Sequence, residues 1–176
     1  MPFAYYAKLS SARQRIYRQS DAVEKLDLPP GVAAGVRVAR IRAALGREDR
    51  ARAQAASQDL IDALVGGYRV PRIRTRVLAK RPADDSGELH GLYEPEDGGA
   101  PARITVWMRT AARRDVVAFK TYLRTLIHEL CHHLDYELFL LPETFHTEGF
   151  YKRESSLVNA LLRDESAVTD PRGHPV

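Results

Sequence analysis

The chain has 176 residues, 44% of them hydrophobic and 28% charged, with a formal net charge of +4. That length gives one domain with a buried core, and the composition is ordinary for a soluble globular protein. The one cysteine excludes an intrachain disulfide, and no apolar run reaches the length of a secretory or membrane-spanning segment; together these point to the cytoplasm.

Ser10 or Ser11 can cap a first helix that runs through Ile16 and Tyr17 to Ser20. A second short helical piece, Asp21 to Leu26, is expected to stop before Pro29-Pro30-Gly31. Val36 to Leu45 and Glu48 to Val65 read as helices, the latter from the spacing of Ala55, Leu60, Ile61, Leu64 and Val65, with Gly66-Gly67 as its stop. From Tyr68 the apolar period changes from helical to alternating. Ile73 to Leu78, Leu89 to Tyr93 and Ile104 to Met108 read as three strands. Turns at Asp84-Asp85-Ser86-Gly87 and between Pro95 and Pro101 join them into a small, mainly antiparallel meander. A long helix follows from about Val116 to Leu141, ended by Pro142. The last helix carries Phe150, Leu157, Val158, Leu161 and Leu162 as its apolar stripe.

The expectation is an α+β fold in a single domain over residues 1–163. Residues 1–67 form a helical N-terminal part, 68–163 the sheet with the remaining helices, and 164–176 a frayed tail. Arginines bunch at Arg37, Arg40, Arg42, Arg47, Arg50 and Arg52, then at Arg69, Arg72, Arg74 and Arg76 with Lys80 and Arg81. Such runs could track a phosphate backbone, although arginine on helix exteriors is ordinary.

The most informative stretch is His128-Glu129-Leu130-Cys131-His132. Residues four apart project from one face of a helix, so the two imidazoles can converge on one metal ion. With His128 at 0° and about 100° per residue, Leu123, Leu126, Ile127, Leu130, Leu134 and Leu138 fall on the far side of the wheel, between roughly 160° and 280°. One face is therefore seated on a core, and the other carries His128, His132, Asp135 and Phe139. Glu129 lies beside the metal position, where a carboxylate can take the proton of a zinc-bound water. H-E-x-x-H is the signature of metallopeptidases.

A zinc site of this kind needs a third protein ligand. His146, just past the break after the motif helix, is the first candidate, with Glu148 and Glu154 as rivals. Asp135 shares the zinc face but is too constrained in the same helix, and reads better as an acceptor for the N–H of a ligand imidazole. Cys131 lies at the margin of the apolar face and reads as a small core residue.

His128-Glu129-Leu130-Cys131-His132-His133 followed by His146-Thr147-Glu148-Gly149-Phe150 resembles the SprT-like branch of the zincin metallopeptidases, over roughly residues 72–162. Thr147 stands where that pattern has glycine. The resemblance implies a zincin-like fold, His146 as third ligand of a single Zn2+, and Ile104 to Met108 as the edge strand lining the cleft and open to an extended peptide. It also implies peptide-bond hydrolysis on a peptide or protein substrate, with Glu129 as general base and Tyr151 or Arg153 as oxyanion donor. Two other readings stand beside it: a nucleic-acid-associated protein of the same type, acting on DNA-bound proteins, and a zinc-binding module without catalysis.

Overall fold

The computed structural model describes residues 2–84 and 87–168. A 3-10 turn, Ala4–Lys8, leads into α1 (Ser11–Asp21), α2 (Ala34–Gly46) and α3 (Arg50–Tyr68). Strands β1 (Arg74–Lys80), β2 (Ala83–Asp84), β3 (Gly87–Glu88), β4 (Gly91–Glu94) and β5 (Arg103–Arg109) follow, then α4 (Phe119–Glu137) and α5 (Glu148–Val168). The arrangement is α+β, with N-terminal helices, a small mixed sheet and C-terminal helices.

The helix boundaries follow local chemistry. Ser10 caps α1 by accepting the amide of Arg13 on its hydroxyl, and Asp49 caps α3 by accepting that of Arg52. Residues 22–26, expected to be helical, are not. The segment runs to Pro29-Pro30 as irregular chain and buries Leu26 as its anchor. Gly66 and Gly67 do not stop α3; it continues to Tyr68 and ends on Arg69 in the left-handed conformation, φ 58°. Asp85 and Ser86, read as part of a turn, lie outside the described residues.

The three-stranded sheet has the order β1-β5-β4 and corrects the expected meander. β4 and β5 are antiparallel, but β1 pairs parallel to β5 on its other side, in the register Thr75 to Ile104 and Val77 to Val106. The edge-strand assignment is corrected too: Ile104 to Met108 belongs to the central strand, and β4 is the edge. The reason lies in burial. Ile104, Thr105, Val106, Trp107 and Met108 are all buried, so β5 is covered on both faces, whereas β4 is short and only half-buried.

The free edge of β1 is covered by side chains of α3. Gln58 accepts the Thr75 amide at 2.7 Å and donates to the Ile73 carbonyl at 3.0 Å. Gln54, one turn earlier, accepts the Val77 amide at 2.7 Å and donates to the Thr75 carbonyl at 2.6 Å. Two side-chain amides at helical spacing thus stand in for a fourth strand between Ile73 and Val77.

α4 crosses β4 and β5 with Leu123, Leu126, Ile127, Leu130 and Leu134 in the core, each without exposed surface. Complete burial of one such side chain contributes about 1.5–3 kcal/mol, so this face fixes which way the opposite, histidine-bearing face points. α5 does not stop at Arg163. It runs to Val168 and packs on α2, where Asp164 accepts the Gly35 amide at 2.6 Å and Glu165 pairs with Arg42. The expected frayed tail is therefore helical as far as 168, and residues 169–176 lie outside the described residues. No helix among the described residues is long and apolar enough to cross a membrane.

Candidate metal centre

α4 presents His128 and His132 from adjacent turns, and the loop between α4 and α5 brings back His146. Ligand atoms of these three lie within 4.8 Å of one another. The Nε2 of His146 is 3.0 Å from that of His128 and 3.1 Å from that of His132. Three imidazole nitrogens held at a tetrahedral metal, with bonds of about 2.0–2.1 Å, would be about 3.3 Å apart, so the two sides through His146 need to open only slightly to accept an ion.

The outer nitrogens show that the inner ones are available. Nδ1 of His128 is 2.8 Å from Oε2 of Glu154. A carboxylate only accepts, so this nitrogen carries the proton and Nε2 keeps its lone pair. Nδ1 of His132 lies 2.8 Å from the Thr144 hydroxyl, which in turn donates to Asp135 at 2.7 Å. Without a cation, three inward lone pairs at this separation would repel one another. Burial, then the neighbouring imidazoles His128 and His146, push His132 down to about 3, and burial lowers His146 as well, so neither competes for protons near neutrality. The donor set fits a divalent transition-metal ion.

Phe150, fully buried, forms the floor, its ring 5.0, 4.8 and 5.2 Å from those of His128, His132 and His146. Thr147 caps α5, its hydroxyl accepting the Phe150 amide at 2.9 Å. That is why threonine serves directly after His146. Above the histidines opens a cavity of about 720 Å³, walled by Gly91, Leu92 and Tyr93 of the edge strand on one side and by Thr125 and Tyr151 on the other.

The remaining candidates fall elsewhere. Glu154 is buried and bridges Nδ1 of His128 to Arg124; it orients a ligand instead of being one. Glu148 reaches Lys152 across one turn of α5. Asp135 acts through Thr144, not directly on an imidazole. Arg153, expected as an oxyanion donor, has no exposed surface and is turned into the core, where it pairs with Asp135 and binds Ser20. Tyr151 is exposed, its ring stacked 5.8 Å from that of His146. His133 is buried structure: its Nε2 donates to the Pro71 carbonyl and its Nδ1 lies 3.2 Å from the Tyr93 hydroxyl. Cys131 is fully buried in the core.

Glu129 is wedged between α4 and β4, where it accepts the Tyr93 amide. Burial pushes its carboxyl up to about 7. Gly91 makes the approach feasible, since a Cβ there would lie 2.3 Å from Oε1 of Glu129. Sequence reasoning missed Thr144 and Arg124, which act only through folded contacts, and Phe150 as the floor. The last had a usable signal: an aromatic four residues after His146, in the first turn of the helix that follows it.

No family model matches the chain, and no curated protein or solved structure matches it. The expected kinship with the SprT-like zincins is corrected by the ligand set itself. The structure contains a three-histidine cluster, and the two-histidine, one-glutamate ligand set that a Glu154 or Glu148 ligand would have completed is not formed. Three-histidine sets serve sites of unrelated chemistry and specify no reaction on their own. The assignments that depended on the kinship (peptidase, hydrolase, peptide substrate, Glu129 as general base) are withdrawn with it; what stands is a cluster of three histidines that could hold a metal ion.

Proposed function

We propose that this chain is a metal-binding module whose His128, His132 and His146 hold one zinc ion. The observation that carries this reading is the convergence of three Nε2 atoms, 3.0 and 3.1 Å apart along the two sides through His146. Zinc is favoured by the donor chemistry. Imidazole suits borderline ions, the absence of carboxylates from the triad disfavours calcium and magnesium, and Cys131 faces away, so no thiolate selects a softer ion. The test is metal analysis of purified protein alongside His128→Ala, His132→Ala, His146→Ala and Glu154→Ala. One equivalent of zinc is expected in wild type, none in the histidine variants, and weakened retention in Glu154→Ala. Zinc retained by a folded His146→Ala variant would overturn the triad.

A second reading, contact with nucleic acid, has one observation in its favour. β1 sets Arg74, Arg76 and Lys80 exposed on the sheet face away from the core. The helical arginines favour it less, because Arg37 and Arg40 pair with Asp59, Arg42 with Glu165 and Arg52 with Asp49. Retention on a DNA column that falls steeply with salt, and is lost on reversing the charges at 74, 76 and 80, is the expected result. Passage through the column at low salt would dismiss it.

A further inference from the structure

The two ligands on α4 are held by different chemistry. His128 leans on a carboxylate directly, through Glu154, which is itself paired with Arg124. His132 has no carboxylate on its outer nitrogen. Between it and Asp135 stands a neutral hydroxyl, that of Thr144, 2.8 Å from the imidazole and 2.7 Å from Oδ2 of the carboxylate.

A hydroxyl has one proton to give. Asp135 is bound on its other oxygen by Arg153 at 2.6 Å, and that guanidinium also donates to the Ser20 carbonyl at 2.8 Å and to the Ser20 hydroxyl at 3.0 Å. Asp135, Arg153 and Ser20 are all without exposed surface, so this carboxylate is fixed in place; burial raises its pKa, and the Arg153 guanidinium and the Thr144 hydroxyl bound to it oppose that rise. The carboxylate takes the Thr144 proton. The hydroxyl oxygen can then only accept from His132, which places the imidazole proton on Nδ1 and leaves Nε2 bare towards His146. The direction of each bond in the row is set by the buried ion pair at its end.

We propose that Thr144 is the positioning residue of the metal centre: its hydroxyl relays the Asp135–Arg153 pair to His132 and holds that imidazole in the one tautomer able to bind metal. The inference rests on the metal-binding reading given above. It also ties two ligands to one piece of chain, because Thr144 and His146 lie two residues apart on the loop between α4 and α5. That loop is pinned from the N-terminal side by Arg13 on Glu143 and by the Tyr5 hydroxyl, which donates to the His146 carbonyl at 2.8 Å. When the loop docks, it delivers the third ligand and locks the second in the same step.

The experiment compares wild type with Thr144→Val, Thr144→Ala and Thr144→Ser. Imidazole 15N NMR of the metal-free protein above pH 7.5 reads the tautomer, and competition titration with a chromogenic chelator reads zinc affinity. Wild type and Thr144→Ser should show His132 protonated on Nδ1 and bind zinc alike. Thr144→Val and Thr144→Ala should populate the Nε2–H form and bind zinc about 10–100-fold more weakly, the range for loss of an outer partner of a ligand. The alanine variant covers the case in which valine does not fold. A folded variant lacking the hydroxyl, yet with the wild-type tautomer and affinity, would overturn the proposal. Failure of wild type to take up zinc would instead sink the metal-binding reading, and the metal-free spectra would still decide the role of Thr144.

Discussion

Asp135 and Arg153 form an ion pair at 2.6 Å in which neither side chain exposes any surface. Arg153 lies over the Phe150 ring, 4.9 Å from its centroid, and holds the end of α1 through Ser20. Removing one partner of such a pair leaves an uncompensated buried charge and costs about 3–5 kcal/mol. Arg153→Met and Asp135→Asn should each lower stability by that order in urea unfolding. The double variant should lose less than the sum of the two. Strict additivity would mean that the two charges do not sense each other.

Two glycines should respond oppositely to the same substitution. A Cβ at Gly149 would meet the Asp21 carbonyl oxygen at 2.1 Å, backbone against backbone, where α5 begins beside the end of α1. Neither helix end can yield without breaking the hydrogen bond that the Gly149 amide donates to the Asp21 carboxylate at 2.8 Å. Gly149→Ala should therefore destabilise by about 1–3 kcal/mol or more, as overpacking does. Gly66, inside α3, meets nothing within 4 Å, and Gly66→Ala should stabilise by about 0.5–1 kcal/mol. Thermal unfolding of both variants is the check; a destabilised Gly66→Ala would show that α3 is not helical through that residue.

The paired amides on α3 give a third expectation. Each of Gln54 and Gln58 satisfies one amide and one carbonyl of β1 or the residue before it. Leucine at either position leaves both groups without partners, at about 1–3 kcal/mol for each buried group. Gln58→Leu should therefore unfold at lower urea than wild type, and more so than a substitution at the exposed Arg76 on the same strand. Equal stability would mean that water replaces the amide at no cost.

The fold was legible where periodicity and turn chemistry act alone. The apolar stripe from Leu123 to Leu134 gives α4, and Ser10 gives the start of α1. The sheet order was not legible, because alternation identifies strands without saying which are neighbours. Reading successive strands as successive partners placed β4 between β1 and β5, whereas the chain carries it across to the far side. At the metal centre, the meeting of His128 and His132 follows from their spacing. The arrival of His146 depends on a loop held by Arg13 and Tyr5, more than a hundred residues earlier. The roles of Thr144, Arg124 and Arg153 depend on which partner each meets after folding. The place of Asp135 on the zinc face suggested a direct bond to a ligand imidazole; the loop puts Thr144 between it and His132.

Glu129 supplies a pH test of the helix–sheet contact. In the unfolded chain its carboxyl ionises near the usual glutamate value of 4.5, and burial in the fold pushes that to about 7. Between those values the native state holds a proton that the unfolded chain has released, so raising the pH through this window removes stability. Each tenfold change in proton affinity is worth about 1.4 kcal/mol, so the loss is at most about 3.5 kcal/mol. Glu129→Gln keeps an oxygen to accept the Tyr93 amide and carries no charge. In protein kept metal-free with a chelator, its melting temperature should match that of wild type near pH 4.5 and exceed it by several degrees at pH 8, the gap opening between those values. A gap independent of pH would mean that folding leaves the proton affinity of Glu129 unchanged, and one that widens towards acid that the fold favours its ionised form.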